Sequence, residues 1–563
     1  MKLRKLIALL LALVICLGCI ACTNESASTD EPAPQSGTAA EEVKQEEPVF
    51  ESKFAKLPEH ADEEEASISP DYDANYEFID TGAVPAGVSV HDPSIYVENG
   101  VYYIFGSHLA SASSTDLRKW TLFTKGFGKG EHENVYGDIL NADSGVFDWS
   151  GAKWSVNPIN GFGLWAPDVV YNPVMGKYML YYCTSTDFYT SSIMFGTSDS
   201  LTGPYDFEKI IVYSGFNEKT IKDTDVLSVV SAEDAQRYYS PKEYEFKKWP
   251  NAIDPSVFFD ADNRLWMTYG SFSGGIFLLE LDPATGLPIH PALDEENDVD
   301  PYFGRRLLGG NHKSMEGPYI LYDAEAGYYY LYVSYGGFEA YKGYQIRVFR
   351  SKNVEGPYVD MNGLTPNNLL NHAMLGLKLS GNYDMPSVRK AYVSTGHNSA
   401  FIDKDGKRYI VYHTRYDNNG EVHNPRVKQY FLNEEGWPCM LPYATNGETI
   451  SQTGYGLDEV VGRYYVTNQG TKIDGEIAKP FILYLTEKGN VFGEGIQGTW
   501  YMADGAPYVH ITIDGVVYSG VFCAMEDEAK TDCMTFTAVG DNSSMWGVKY
   551  DEELIAELKE YFN

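Results

Sequence analysis

Five stretches of this chain repeat one local pattern, and such a repeat restricts the fold more than any single motif. They are "HDPSIYVENGVYYIFGSH" (91–108), "WAPDVVYNPVMGKYMLYYCTS" (165–185), "IDPSVFFDADNRLWMTYGSFSGG" (253–275), "MEGPYILYDAEAGYYYLYVSYGG" (315–337) and "GHNSAFIDKDGKRYIVYHTR" (396–415). Each is a short apolar run, a polar or Gly-containing turn, and a second run rich in aromatics. The turns read "ENG", "NPVMGK", "DADN", "DAEAG" and "DKDG", all of them hairpin chemistry. Later pieces recur as well: "TSDSLTGPYDF" (197–207) and "RSKNVEGPYVD" (350–360) share a Ser and a Gly-Pro-Tyr turn. Each unit then holds about four strands, and long helical periodicity is absent between residues 80 and 440. The expected fold class is all-β, a five-bladed β-propeller, in which equivalent residues of every unit face one axis. A pair of β-sandwiches would not bring equivalent residues together in that way.

Aligning the units on their first proline exposes a candidate site. Pro93, Pro167, Pro255 and Pro318 superpose, and the residues before them are Asp92, Ala166, Asp254 and, one position further back across Gly317, Glu316. The fifth unit offers His397. One slot at the start of the innermost strand therefore holds Asp, Ala, Asp, Glu and His. A turn residue alone has no reason to vary so, whereas polar groups converging on an axis make a site, with the lone Ala leaving room for a ligand. Clustered, partly buried carboxylates cannot all stay ionised cheaply, so at least one pKa must rise. Two chemistries use that arrangement: glycoside hydrolysis, with one protonated and one ionised carboxyl, and a divalent cation site. Asp168, two residues past Ala166, shares its strand face and either touches the site or braces it. Trp165 is either a stacking platform for a sugar ring or a core residue.

The formal net charge of −36 excludes nucleic acid and disfavours a polyanionic substrate. It suits a protein acting outside the cell on something neutral. "MKLRKLIALLLALVICLGCIACTNES" is an export signal, with a basic n-region (Lys2, Arg4, Lys5) and an apolar core too short for a comfortable membrane span. Small residues precede Cys19 and Cys22, the pattern of a bacterial lipoprotein signal, and Cys22 (or Cys19) is the expected lipidated residue. Residues 1–22 are thus read as the signal and 23–70, with "EEVKQEEP" and "ADEEEAS", as a disordered acidic tether. The membrane is expected as a partner only through that anchor. Cys183, Cys439, Cys523 and Cys533 are too scattered for a disulfide framework or a zinc site. Cys523 and Cys533 either pair across neighbouring strands or stay as buried thiols.

The residues now reached carry a resemblance. "HDPS" at 91, "LWAPDV" at 164, "NAIDPSVF" at 251, "SMEGPY" at 314, "TGHNSAF" at 395 and "GWP" at 436 resemble family 43 glycoside hydrolases, specifically secreted two-domain endo-α-1,5-L-arabinanases. The resemblance implies Asp92 as the general base, Glu316 as the general acid, and Asp254 as the residue that keeps the acid's pKa raised and holds the sugar. It implies that His397 helps to bind one calcium ion in a central channel, mostly through waters. Gly163, Asn251 and Ser271 fall in stretches that line the family's sugar site. The family inverts the anomeric centre, which requires the two catalytic carboxyls to stand about 6.5–9.5 Å apart. The implied partner is arabinan or its oligosaccharides, and a monomer is expected. Rival readings are an exo-acting arabinanase, arabinofuranosidase or β-xylosidase of the same family, and a non-catalytic glycan-binding propeller.

The propeller is expected over residues 71–448. From about Thr449 the sequence changes to antiparallel strands with tight turns ("ADG", "IDG"), so 449–563 is expected to form a small C-terminal β-barrel or sandwich. "YDEELIAELKEYFN" at the end has helical spacing.

Overall fold

The computed structural model describes residues 87–125, 133–137, 145–151, 163–185, 189–367, 371–388 and 390–550. The export signal, the acidic tether and the terminal helix lie outside the described residues.

The fold is all-β. The first, second and fifth repeat units each form a four-stranded antiparallel sheet, and the third forms a similar sheet with one short extra strand, Val299–Asp300. The strands of the fourth unit, from Met315–Asp323 to Leu377–Ser380, continue into a twelve-stranded sheet with the C-terminal strands. The innermost strands are Ser94–Glu98, Leu164–Asn172, Ser256–Phe259, Met315–Asp323 and Tyr392–Ile402. Each touches the next in chain order and the last returns to the first, a propeller-like arrangement. Two-sided burial explains the composition: "KYMLYYCTS" and "YYYLYVSY" lie between neighbouring sheets and read as continuous apolar runs.

Every innermost strand starts with the same irregularity. Asp92, Ala166, Asp254, Gly317 and His397 all have left-handed φ, between 39° and 56°. In three units the pairing skips at this point. Trp165 faces Cys183 and Asp168 faces Tyr181, Glu316 faces Ser334 and Tyr319 faces Tyr332, Gly396 faces His413 and Ser399 faces Val411. Each skip is a β-bulge made by the slot residue and its follower. Four of the five slots hold a residue with a Cβ, and such strain, roughly 1–2 kcal/mol per residue, collects where a fold must aim side chains. Gly317 thus occupies the slot of the fourth unit. Glu316 does not share it: it stands one position earlier, level with His91, Trp165, Ile253 and Gly396.

Asp168 is buried and braces this hub. It accepts hydrogen bonds from the Ser94 hydroxyl of the first unit and from the Val257 N–H of the third, the latter at 2.6 Å. Burial pushes its pKa up to about 6 even so. The segment 213–250 packs inward. Phe216, Tyr238, Tyr244 and Trp249 are buried in the core shared with the second and third units.

The C-terminal strands, from Gly462–Asn468 to Ser543–Lys549, pair successively, and the last pairs back onto the first, closing an eight-stranded barrel. Its interior is filled by side chains including Tyr464, Trp500, Phe522 and Phe536. The alternate residues of the same strands, among them Val521, Cys523, Cys533 and Trp546, face outward into a core with Tyr383, Tyr430 and Trp437. Cys523 lies opposite Thr535 and Cys533 opposite Met525, so the two cysteines are diagonal neighbours, and both are free thiols.

Candidate active site

The bulged strand starts bring three carboxylates together. The slot residue, its follower and the next residue of every unit line a narrow axial cavity of about 20 Å³. Asp92, Asp254 and His397 are among its lining residues, and their charges and that of Glu316 act on one another. The residues aligned in the sequence thus lie close together here, although Gly317 holds the slot of the fourth unit and Glu316 stands one position before it.

Asp92 is 6% exposed and fixed on both oxygens. Ser107 donates its hydroxyl to Oδ2 at 2.5 Å. Oδ1 faces His397 Nδ1 at 3.0 Å and His91 Nε2 at 3.2 Å. The Asp92 N–H donates to His413 Nδ1 at 3.2 Å, which leaves the hydrogen of a neutral His413 on Nε2. Ser107 also accepts the Ala166 N–H at 2.8 Å, so one hydroxyl ties the first slot to the second.

Glu316 accepts from Ser271 Oγ at 2.9 Å and from Tyr344 at 2.8 Å. Burial raises its pKa. The His397 charge and those two hydroxyls pull the other way, Asp92 adds to the rise, and the net direction is up. Asp254 accepts the Gly317 N–H at 3.1 Å and is likewise raised, first by burial and then by Glu316 and Asp92. Burial alone would lower His397, but the three carboxylates outweigh it and raise its pKa. The imidazole lies against Gly317, where a Cβ would come within 3.1 Å of the ring, so glycine is needed for both φ and space. A buried carboxyl whose pKa is raised, beside a second, hydrogen-bonded carboxyl group, is a pairing that general acid–base chemistry can use.

Three more imidazoles crowd behind Asp92. The nitrogens of His91, His413 and His423 lie within 4.8 Å of one another. Their hydrogen bonds argue against a metal there: His413 Nδ1 accepts from Asp92, His423 Nε2 accepts from the Arg415 guanidinium at 2.6 Å, and His91 points Nε2 at Asp92. Two of the three lone pairs are already used, which makes this a hydrogen-bonded network around the carboxylate.

Ser271 touches Glu316 directly. Trp165 is half-buried, donates Nε1–H to the Ser185 carbonyl at 3.2 Å, and sits 4.4 Å edge-on from His108 and 6.2 Å from His91. Gly163 accepts the Ser185 N–H through its carbonyl at the start of the same strand. Asn251 is buried, with its amide oxygen 3.5 Å from Ser214 Oγ on the outer strand of the second unit. Sequence reading missed Ser107, Tyr344 and His413. Their partners lie 15, 28 and 321 residues away, and no local pattern marks them.

A pH experiment tests the environment of Glu316. Tyr344→Phe removes a hydrogen bond that favours the ionised carboxylate, so the Glu316 pKa should rise further. The alkaline limb of kcat/KM should then move to higher pH than in the wild type. An unmoved limb would show that Glu316 does not set it.

Comparison with known proteins agrees with this geometry. Residues 210–438 match the model of glycosyl hydrolases family 43, and residues 442–547 match a C-terminal lipocalin-like domain. Extracellular endo-α-(1→5)-L-arabinanase 2 of Bacillus subtilis is 36% identical over 481 residues, 82% of this chain and 93% of that protein. The extracellular endo-α-(1→5)-L-arabinanase of Thermotoga petrophila is 37% identical over 82% of this chain and 94% of its own length. The crystal structure of the Thermotoga endo-1,5-α-L-arabinanase superposes with a TM-score of 0.71, covering 83% of this chain and all of the other, at 36% identity. With the carboxylate cluster, the propeller-like sheets and the barrel all in place, the chain belongs to glycosyl hydrolases family 43.

Proposed function

We propose that the protein hydrolyses α-1,5-L-arabinofuranosyl bonds within arabinan, with inversion, and that the five units are the five blades of a closed propeller whose hub is the catalytic site. The observation that carries this is the buried carboxyl trio at the bulged strand starts, with Glu316 and Asp254 both raised. Asp92 takes a proton from a water whose oxygen attacks the anomeric carbon. As the C1–O bond breaks, Glu316 gives its proton to the departing oxygen, which leaves as the hydroxyl of the shortened chain. Asp254 holds the Gly317 N–H and adds negative charge beside the acid, helping to keep its proton until the transition state. Trp165 offers a ring face to a neighbouring sugar.

A calcium ion is part of the proposal. The residues fit a cation held largely through water: three carboxylates gather about His397, and the Asn398 amide oxygen beside it is buried without a protein partner. His397 would hold the ion with the Asp92 and Asp254 carboxylates around it. Bound there, the ion would supply fixed positive charge that steadies the carboxylates. Chelator treatment or His397→Ala is expected to lower the melting temperature and activity together, with calcium restoring both only in the wild type. Unchanged melting and no metal in the purified protein would reduce His397 to a hydrogen-bonding role.

The protein is further proposed to act outside the cell, tethered through lipid on Cys22 or Cys19. Replacing both cysteines with Ser should move it from the membrane fraction to the medium at unchanged specific activity. Wild-type protein found chiefly in the medium with an unlipidated N-terminus would refute the tether.

The product profile on debranched arabinan tests the activity. A spread of oligosaccharides early in the time course is the endo result. Arabinose or one short product from the start indicates an exo enzyme, and binding without products a glycan-binding propeller.

A further inference from the structure

One exposed aromatic stands beside the catalytic centre without a role in it. Phe338 is 45% exposed, and its ring centroid lies 6.1 Å from that of His91, the neighbour of Asp92. Trp165 lies at almost the same distance from His91, 6.2 Å. A large apolar ring left in water beside polar side chains costs free energy, so what holds it there matters.

The holding is elaborate. The Phe338 carbonyl accepts from Ser394 Oγ at 2.6 Å and from the Arg415 guanidinium, which also donates to Ser394 Oγ at 2.8 Å. Two residues on, the Ala340 N–H points at the Glu421 carboxylate at 3.3 Å, and the Tyr341 hydroxyl donates to Asp417 at 2.6 Å. The loop from Gly336 to Gly343 is thereby fastened to the fifth unit. Its other side rests on the connection between the first two barrel strands, Gly462–Asn468 and Phe481–Leu485. A Cβ on Gly475 would stand 2.1 Å from the Tyr341 carbonyl oxygen, and one on Gly343 would stand 2.6 Å from the Asp474 carbonyl oxygen. The Gln345 amide bridges the Gly343 and Lys472 carbonyls at 2.9 and 3.1 Å, and Asn382 joins Gly475 to Ser394.

We propose that Phe338 is a stacking platform for an arabinosyl residue next to the cleaved one, and that the C-terminal domain serves the reaction by bracing the loop that carries it. The inference rests on the arabinanase reading above and extends it to a specificity residue. The ring is presented on a backbone pinned from both sides, so little conformational freedom is lost when a sugar lands on it. The close approach of loop to brace also explains two glycines, 343 and 475, in different parts of the chain.

The test compares wild type, Phe338→Ala, Phe338→Tyr and Gly475→Ala on linear arabinan and on arabinotriose. Phe338→Ala should raise KM for the polymer about three- to tenfold, the size of an aromatic stacking contact, with a smaller change in kcat and a smaller KM change on the trisaccharide. Phe338→Tyr should restore KM, which a merely structural role for the position would not require. Gly475→Ala should raise the polymer KM in the same direction by displacing Tyr341. Equal KM values for wild type and Phe338→Ala would overturn the platform and leave the arabinanase reading intact. A normal KM in Gly475→Ala would overturn the brace. A wild type that leaves arabinan uncut would overturn both the inference and the reading beneath it.

Discussion

Glu316→Gln is expected to lower kcat on linear arabinan by about a thousandfold, within the span usual for losing a general acid. The substitution keeps the volume, and the amide oxygen can still accept from Ser271 or Tyr344, so the fold should survive. The informative comparison is with a substrate whose leaving group needs no protonation, such as a nitrophenyl arabino-oligosaccharide. There Glu316→Gln should recover much of its rate, because only the departing oxygen required the proton. Asp92→Asn should stay inactive on both substrates, since water activation is needed whatever leaves. If the two variants respond alike to the better leaving group, the assignment of acid to Glu316 and base to Asp92 fails. The pH profile gives an independent sign. If Glu316 acts as the proposed general acid, its raised pKa means that activity should persist above the ordinary carboxyl range and fall as pH climbs through the raised value.

The repeat and the slot were legible because both are local. Apolar and aromatic runs broken by turn residues mark hairpins whatever they pack against, and the proline that opens four of the five units is visible in any alignment of them. Gly317 shows where local reading reaches its limit. The sequence placed Glu316 in the slot with a gap, whereas the backbone puts glycine there at φ 56° and the glutamate one step earlier on the bulge. What sets the acid's environment is less local still. Ser271 comes from the third unit, Tyr344 from the next strand but one, and the His413 that fixes the Asp92 backbone comes from the other end of the propeller chain. Such partners are chosen by closure of the ring, and no spacing rule encodes them.

Ending the chain at Glu448 is expected to abolish the fold, although the cut falls between the last strand of the fifth unit, Pro438–Met440, and the first barrel strand, Gly462–Asn468. The outward face of the barrel and the fourth and fifth units share one core, so removing the barrel would uncover Leu377, Leu379, Tyr383 and Cys439, all buried without measurable exposure. Trp546 is fully buried, edge-on to Tyr383 at 4.9 Å, with Lys428 Nζ 4.1 Å from its ring centroid. Deleting one such side chain costs about 3–5 kcal/mol, a large part of a typical total stability of about 5–15 kcal/mol. The cut removes Trp546 together with Val521, Met525, Val539 and Val548. It also takes away the Thr471 carbonyl that accepts from the buried Arg347 guanidinium, leaving a charge short of a partner. The shortened protein should therefore aggregate or lack a cooperative melt, and Trp546→Ala in the full chain should lower the melting temperature by several degrees or more. A monomeric, active protein ending at Glu448, with a Trp546→Ala variant that melts like the wild type, would show the barrel to be an appendage. Otherwise the barrel completes the core of the fourth and fifth units.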